Sequence, residues 1–234
     1  MSPLERSEAT VTGRFVTFEG PDGAGKSAVS TAVAEVFAAR GITLTTVREP
    51  GGTPLGEAIR TILMDAGMQH SGAADALLFN AARAQLVATV IRPALARGQF
   101  VICDRYADST LAYQGYGSGV RLDQLRALAA VLTGGLVPDR TILFDVPVTV
   151  GLERRRHGPG DQQTRFEDDS RHDRAFHERV RSGYLAMAAE DPDRWRVVDA
   201  ARSLEQLVDD VNDALADLLT PAWSEPDGAP VRTG

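Results

Sequence analysis

One octet of the chain combines residue types and spacing that can bind phosphate. It consists of Gly20, Pro21, Asp22, Gly23, Ala24, Gly25, Lys26 and Ser27. The octet matches G-x-x-x-x-G-K-[ST], in which the glycines permit a tight turn and backbone N–H groups point at phosphate oxygens. Lys26 is the only lysine among 25 basic residues, and its compact ammonium can reach between phosphates where a planar guanidinium cannot. The octet therefore predicts a nucleoside triphosphate site, with Ser27 as a ligand of Mg²⁺.

The flanking sequence predicts the strand and the helix that such a loop needs. Residues 15–19 alternate in character and are rich in strand-forming types, so they indicate a strand. Val29, Val33 and Phe37 recur at helical spacing after the loop, and Gly41 marks the end of that helix. A glycine-rich turn without a ligand is the alternative, and the order of strand, loop and helix argues against it.

The composition limits the class of protein. The chain has 234 residues, of which 43% are hydrophobic and 24% are charged, which is typical of one soluble globular domain. A net charge of −7 argues against a nucleic-acid partner, because surfaces that bind nucleic acid are basic. The single cysteine, Cys103, is expected to be a buried structural thiol. We expect no membrane-spanning run and no signal peptide, which predicts a cytoplasmic protein without a membrane partner.

Strand-like and helical segments alternate between two polar ends. Strands are predicted at 15–19, 43–47, 100–103, 141–145 and 196–198. After the first helix, further helices are predicted at 55–64, 73–97, 122–132, 148–156, 176–189 and 204–219, with a kink at Pro93. This alternation predicts an α/β fold in which a five-stranded parallel sheet has helices on both faces. We expect residues 1–13 to be flexible and residues 221–234 to be disordered.

Two residues at the end of a predicted strand, Asp104 and Arg105, can act on phosphate. Ligands of a parallel sheet bind at the carboxyl ends of its strands, so both residues should lie near the octet. Arg105 can clamp a phosphate with two parallel hydrogen bonds, and Asp104 can hold Mg²⁺ through water. A structural ion pair between neighbouring elements is the alternative.

An arginine-rich segment covers residues 153–165 and contains Gly158 and Gly160. Adjacent arginines repel one another unless anions are present, and the glycines permit motion. The segment therefore predicts a small lid at about residues 153–168 that closes over triphosphate. Arg155 is expected to face away from the site. A solvated helix end and a basic nucleic-acid patch are the alternatives, and the acidic charge of the chain disfavours the second.

Phe79 and Arg83 are four residues apart and should share one face of a helix. A nucleobase could stack on Phe79 while Arg83 donates to a carbonyl in the base plane. An ordinary core position for Phe79 is the alternative. The histidines show no metal-ligand spacing, and we expect them to lie on the surface or to pack between helices.

Four segments of the chain together resemble the thymidylate kinase family of P-loop nucleoside monophosphate kinases. They are residues 18–27, 48–53, 104–106 with Ser109 and 112–115, and 138–145. The resemblance runs over about residues 15–219 and implies a P-loop NTPase fold, with the kinase domain at 14–220. It also implies ATP as phosphoryl donor, Mg²⁺ as cofactor and a homodimer.

The resemblance implies a site for dTMP on the same side of the sheet. Asp22 would bind the 3′-hydroxyl of the deoxyribose, and Tyr113 would lie under the sugar. Arg48, Arg60 and Arg105 would hold the 5′-phosphate.

The thymine base would stack on Phe79, with Arg83 and either Ser109 or Gln114 on its edges. The full set of implied dTMP contacts is Asp22, Arg48, Glu49, Pro50, Arg60, Phe79, Arg83, Arg105, Ser109, Tyr113 and Gln114.

The family has two layouts for its catalytic arginine, one in the P-loop and one in the lid. Position 23 is glycine, so the chain resembles the lid type. The implied catalytic residues are Lys26, Arg105, Arg154, Arg156 and Arg165. The chain departs from the family pattern at residues 164–167, which read TRFE where Asp-Arg-x-Glu is usual, and at 170–174, which resemble a short insertion.

The activity implied is transfer of the γ-phosphoryl group of ATP to dTMP, which gives dTDP. The acceptor is an anionic phosphate oxygen, so positioning and electrostatics are expected to provide the catalysis without a strong base. A deoxynucleoside kinase is one alternative, although its hydroxyl acceptor would need a carboxylate base. A P-loop ATPase switch is the other alternative.

Overall fold

The structure is a computed structural model that describes residues 13–156 and 174–219. Its five strands form one parallel sheet in the order β2-β3-β1-β4-β5. The strands are β1 (Arg14–Glu19), β2 (Leu44–Arg48), β3 (Phe100–Asp104), β4 (Arg140–Asp145) and β5 (Trp195–Asp199). The predicted strands all exist, and each observed end differs from the predicted one by at most one residue.

Helices connect the strands and cover the sheet. The α-helices are α1 (Lys26–Ala39), α2 (Pro54–Met64), α3 (Gly72–Leu86), α4 (Arg92–Ala96), α5 (Ala107–Thr110), α6 (Leu122–Thr133), α7 (Val148–Arg156), α8 (Arg174–Glu190) and α9 (Leu204–Leu215). Two π-helical segments, Val87–Ile91 and Leu111–Gly117, continue α3 and α5, and a short 3₁₀ segment, Ala216–Leu218, follows α9.

Local sequence explains where several helices begin and end. The hydroxyl of Thr53 caps α2 by accepting from the N–H of Gly56, and Pro54 occupies the first turn, where no N–H is needed. A capping box, formed by Ser203 and Gln206, starts α9. Helix α6 ends at Gly134, which takes the left-handed conformation that glycine accepts at low cost.

Apolar side chains pack against both faces of the sheet. Phe18 of β1 packs on one face with residues of α1 and α9, among them Val33 and Val211. The neighbouring Phe15 points to the opposite face and packs with Leu95 of α4. Successive residues of a strand face opposite sides, so β1 serves both cores. The predicted fold class, a five-stranded parallel sheet with helices on both faces, is confirmed.

The long helical stretch Gly72–Ala96 changes geometry before Pro93. Proline lacks the N–H that continues an α-helix, and the π-helical segment occupies the turn in front of it. The stretch has 25 residues and contains an 18-residue window with a mean hydropathy of 1.2, so its length and composition alone would allow it to cross a membrane, contrary to the expectation of no membrane-spanning run. Asn80 and Arg83 in this stretch are buried and hydrogen-bonded to protein groups, as in a core helix of a folded domain.

Several expectations fall wholly or largely outside the described residues. They are the flexible segment at 1–13, the lid at 153–168 with Arg165, the insertion at 170–174 and the tail at 221–234. These expectations stay predictions.

Candidate active site

The phosphate-binding octet forms the turn between β1 and α1. Gly20, Gly23 and Gly25 have φ values of 140°, 75° and 85°, a region that other residues enter only with strain. The ammonium of Lys26 donates to the carbonyl oxygens of Gly20 at 3.0 Å and Pro21 at 2.9 Å. The loop thus folds around its own lysine, which is 7% exposed.

Burial disfavours the charged form of Lys26. Together with the nearby charge of Arg105, it lowers the pKa of Lys26 from 10.5 to about 8, although Asp104, Asp22 and Glu19 act in the opposite direction. An anion that binds in the loop would place negative charge beside this ammonium and favour its charged form.

Ser27 and Asp104 meet at the start of α1. The hydroxyl of Ser27 donates to Oδ2 of Asp104 at 2.8 Å. Hydroxyl and carboxylate oxygens suit Mg²⁺, which usually takes one or two protein ligands and completes its shell with phosphates and water. Within residues 13–156 and 174–219, no cluster of three or more acidic, histidine or cysteine side chains could bind a metal by itself. Ser27 and Asp104 therefore suit a cation whose other ligands are the phosphates of a bound nucleotide and water.

Arg105 joins the loop to a neighbouring pocket. It is the only non-glycine residue with positive φ, 69°, in the part of the chain that the structure describes. Its Nη2 donates to Asp22 at 2.5 Å and to the hydroxyl of Tyr113 at 3.2 Å. Its Nη1 donates to the hydroxyl oxygens of Ser109 at 3.2 Å and Tyr184 at 3.3 Å. The guanidinium is therefore fixed on two sides.

Asp22 is held in its ionised form. Burial alone would raise its pKa, but the charges of Arg105, Lys26 and Arg155 outweigh burial and keep the pKa of Asp22 well below its usual range. From the sequence alone, Arg155 was expected to face away from this site. In the structure, its charge reaches Asp22.

Close backbone packing explains why Arg155 reaches the loop. A Cβ added at Gly23 would overlap the carbonyl oxygen of Gly151, and one added at Gly151 would lie 2.9 Å from the carbonyl oxygen of Asp22. Helix α7 thus touches the loop at Gly151, and Arg155, four residues later, shares that helix face. Arg154 instead donates to the carbonyl oxygens of Ala200 at 2.6 Å and Ala201 at 3.2 Å.

A pocket of about 160 Å³ opens beside the loop. Its lining residues are Asp22, Glu49, Pro50, Arg60, Met64, Phe79, Arg105, Ser109, Thr110, Tyr113 and Gln114. All but Met64 and Thr110 are among the residues predicted to contact dTMP. Those contacts stay a prediction, but the structure gathers these side chains around one cavity.

Arg83 is one of the two predicted contacts that do not line the pocket. It is 1% exposed and lies behind the wall. Its Nε donates to Oε2 of Glu49 at 2.9 Å, and its Nη2 donates to Thr110 at 3.0 Å and to the backbone of Tyr106 at 2.9 Å. In this conformation Arg83 therefore orients two residues of the wall, Glu49 and Thr110.

Arg48 is the second such residue. It is half-exposed and pairs with Glu57 at 3.1 Å, outside the pocket wall. Glu57 also accepts from the N–H of Gly52 at 2.9 Å, so Arg48 is tied to the loop that follows β2. Arg60 of α2, in contrast, lines the pocket and donates to the carbonyl oxygen of Pro50 at 3.2 Å.

Two buried acceptors in the pocket wall have no hydrogen-bond partner within the described part of the chain. They are Oε1 of Glu49 and Oε1 of Gln114. A buried acceptor without a partner costs about 1–3 kcal/mol, so a ligand that supplies N–H groups would be favoured here.

Sequence reasoning missed five residues that shape the site. Met64 and Thr110 line the pocket, Arg155 reaches Asp22, and Glu19 and Tyr184 surround Arg105. Only Glu19 carried a usable signal, because it ends a buried strand directly before the loop.

Comparison with known proteins identifies the family. The model of the thymidylate kinase family matches residues 18–211. The thymidylate kinase of Thermomicrobium roseum is 52% identical over 197 residues, covering 84% of this chain and 91% of that protein. The enzyme of Roseiflexus castenholzii is 48% identical over 210 residues, covering 84% and 90%. That of Pseudomonas syringae is 46% identical over 212 residues, covering 89% and 98%. The chain belongs to the thymidylate kinase family.

Proposed function

We propose that this protein transfers the γ-phosphoryl group of ATP to dTMP and releases dTDP. The observation that carries the proposal is the wall shared by the phosphate-binding loop and the pocket. Asp22 belongs to the loop, lines the pocket and pairs with Arg105, which lines the same pocket. A donor phosphate in the loop and an acceptor phosphate at Arg105 would therefore be neighbours.

The residues supply positioning and charge. Lys26 and the loop N–H groups hold the ATP phosphates, while Arg105 and Arg60, which both line the pocket, bind the 5′-phosphate of dTMP. Ser27 and Asp104 hold Mg²⁺, which neutralises phosphate charge when it is bound. Because the acceptor oxygen is already anionic, alignment of donor and acceptor is the main contribution of the protein.

The pocket chemistry favours a pyrimidine with an N–H donor. Phe79 offers an aromatic face, and the unpartnered oxygens of Gln114 and Glu49 can accept from such a donor. Thymine carries one ring N–H between two carbonyl groups. The hydroxyl of Tyr113 accepts from Arg105 at 3.2 Å, which supports a place for Tyr113 under the sugar, next to the phosphate.

A cytoplasmic homodimer is part of the proposal. Exposed apolar side chains lie on three helices that pack side by side, α2, α3 and α6. They are Leu55, Ile62, Leu77, Val131 and Leu132. Exposed apolar side chains of this kind suit contact with a second copy of the chain, whereas the net charge of −7 disfavours nucleic acid.

A panel of acceptors tests the proposal. The protein, ATP and Mg²⁺ are mixed with each nucleoside monophosphate or with thymidine, and ADP formation is measured. We expect the highest kcat/KM with dTMP, and poor rates with its ribose analogue, AMP and CMP. Lys26→Ala should abolish turnover at unchanged helix content.

Two results would contradict the proposal. Phosphorylation of thymidine in preference to dTMP would indicate a deoxynucleoside kinase. ADP formation that does not depend on any acceptor would indicate an ATPase switch.

A further inference from the structure

The backbone at Arg105 is held in an unfavourable conformation by hydrogen bonds on both sides. A left-handed φ of 69° costs free energy for an arginine and needs support from its surroundings. The N–H of Arg105 donates to the carbonyl oxygen of Phe18 at 2.9 Å. The next N–H, that of Tyr106, donates to Oε1 of Glu19 at 2.8 Å. One carboxylate oxygen of Glu19 thus supports the turn that carries Arg105.

The second carboxylate oxygen of Glu19 acts on the side chain of Arg105. Oε2 accepts from the hydroxyl of Ser109 at 2.5 Å and from the hydroxyl of Tyr184 at 3.0 Å. The same two hydroxyl oxygens accept from Nη1 of Arg105. The two hydroxyl oxygens also lie 2.8 Å from each other, so their two protons serve three contacts, and each proton given to Oε2 leaves the lone pairs of its oxygen free to face the guanidinium. Glu19 is fully buried, so no water competes for these bonds.

We infer that Glu19 is the positioning residue for Arg105, fixing its backbone with one oxygen and its side chain, through Ser109 and Tyr184, with the other. This inference rests on the proposed function, in which Arg105 binds the 5′-phosphate of dTMP. Glu19 contacts neither substrate. It determines where the phosphate-binding guanidinium lies relative to the loop.

The substitution Glu19→Gln isolates this role. Glutamine keeps the size of the side chain and one oxygen for the N–H of Tyr106, but it presents an NH₂ group to the two hydroxyls. The hydroxyl oxygens must then accept from the amide, and Arg105 loses its fixed acceptors. The experiment is run at about pH 8.5, where a carboxyl with a pKa of about 7 is ionised.

The readout is the affinity for dTMP compared with that for thymidine, measured by calorimetry. Thymidine has the base and the sugar but not the phosphate that Arg105 holds. We expect Glu19→Gln to weaken dTMP binding by about 10- to 100-fold, the worth of a charged hydrogen bond, and to change thymidine binding by less than about twofold. Tyr184→Phe removes one acceptor and should give a smaller loss in the same direction.

Asp139→Asn is the matched control. Oδ2 of Asp139 also accepts a β1 backbone N–H, that of Phe15 at 2.7 Å, but at the opposite end of the strand. This variant should leave the affinities for dTMP and thymidine unchanged.

Equal losses of dTMP and thymidine affinity in Glu19→Gln would show a merely structural role and overturn the inference. Unchanged dTMP affinity would overturn it as well. If Glu19→Gln does not fold, the ratio of dTMP affinity to thymidine affinity in Tyr184→Phe tests the inference instead. A wild-type protein that binds thymidine as tightly as dTMP would instead refute the phosphate assignment in the proposed function.

Discussion

Binding of ATP should draw a proton onto Lys26, and the amount should rise with pH. In the free protein, burial and Arg105 lower the pKa of this lysine to about 8. Its ammonium is held by the carbonyl oxygens of Gly20 and Pro21. Bound phosphates replace these neutral acceptors with negative charge, which raises the pKa and keeps the ammonium protonated.

The size of the effect follows from the titration curve. With a pKa of about 8, Lys26 is neutral in about one-tenth of molecules at pH 7, one-half at pH 8 and nine-tenths at pH 9. Proton uptake per ATP should therefore rise from about 0.1 to about 0.9 across this range, and the Kd for MgATP should rise about tenfold by pH 9.

Calorimetry of MgATP binding in buffers of different ionisation enthalpy measures this uptake. Lys26→Arg is the control, because a guanidinium stays charged throughout the range and should show no uptake wherever binding is detectable. Uptake that stays constant between pH 7 and 9, or that falls, would show that Lys26 does not take up the proton. A falling profile would point to a carboxyl with a pKa near 7, such as Glu19.

Two further predictions concern α7 and stability. Arg155→Ala should lower kcat by about tenfold or more with little change in dTMP binding, because the charge of Arg155 reaches Asp22. The sequence alone predicts a larger loss of kcat at Arg154. Steady-state kinetics of Arg155→Ala, Arg154→Ala and Gly151→Ala measure the difference, and the last variant should push α7 off the loop. Burial and the charge of Asp108 raise the pKa of Glu19 from 4.5 to about 7, so its contribution to stability is present below pH 4.5 and is lost as pH rises through 7. Urea unfolding should show a loss on the order of 3 kcal/mol from this group between pH 5 and 8, and Glu19→Gln should remove that pH dependence.

Most strands and helices could be predicted because their patterns are local. The loop motif, the strand before it and the kink at Pro93 are examples. The helical segment Ala107–Gly117 was missed, because nearly all of Leu111–Gly117 is buried and no polar face marks a helical period. Fully buried helices lack the alternation on which such predictions depend.

Most residues of the candidate site could be predicted from the sequence, but their positions relative to the pocket wall could not. Spacing placed Phe79 and Arg83 on one helix face, yet Phe79 lines the pocket while Arg83 lies behind its wall. The bond between Glu19 and Tyr184 joins residues 165 positions apart, and no local pattern reveals such a pair. The left-handed backbone of Arg105 is likewise set by tertiary hydrogen bonds.

Transfer of the γ-phosphate of ATP to dTMP can be followed directly with a radiolabel. ATP radiolabelled at its γ-phosphate is incubated with the protein, Mg²⁺ and dTMP, and the products are separated chromatographically. We expect the label to appear in dTDP, at a rate that falls sharply in Arg105→Ala. Label recovered as inorganic phosphate, with dTMP unchanged, would contradict it.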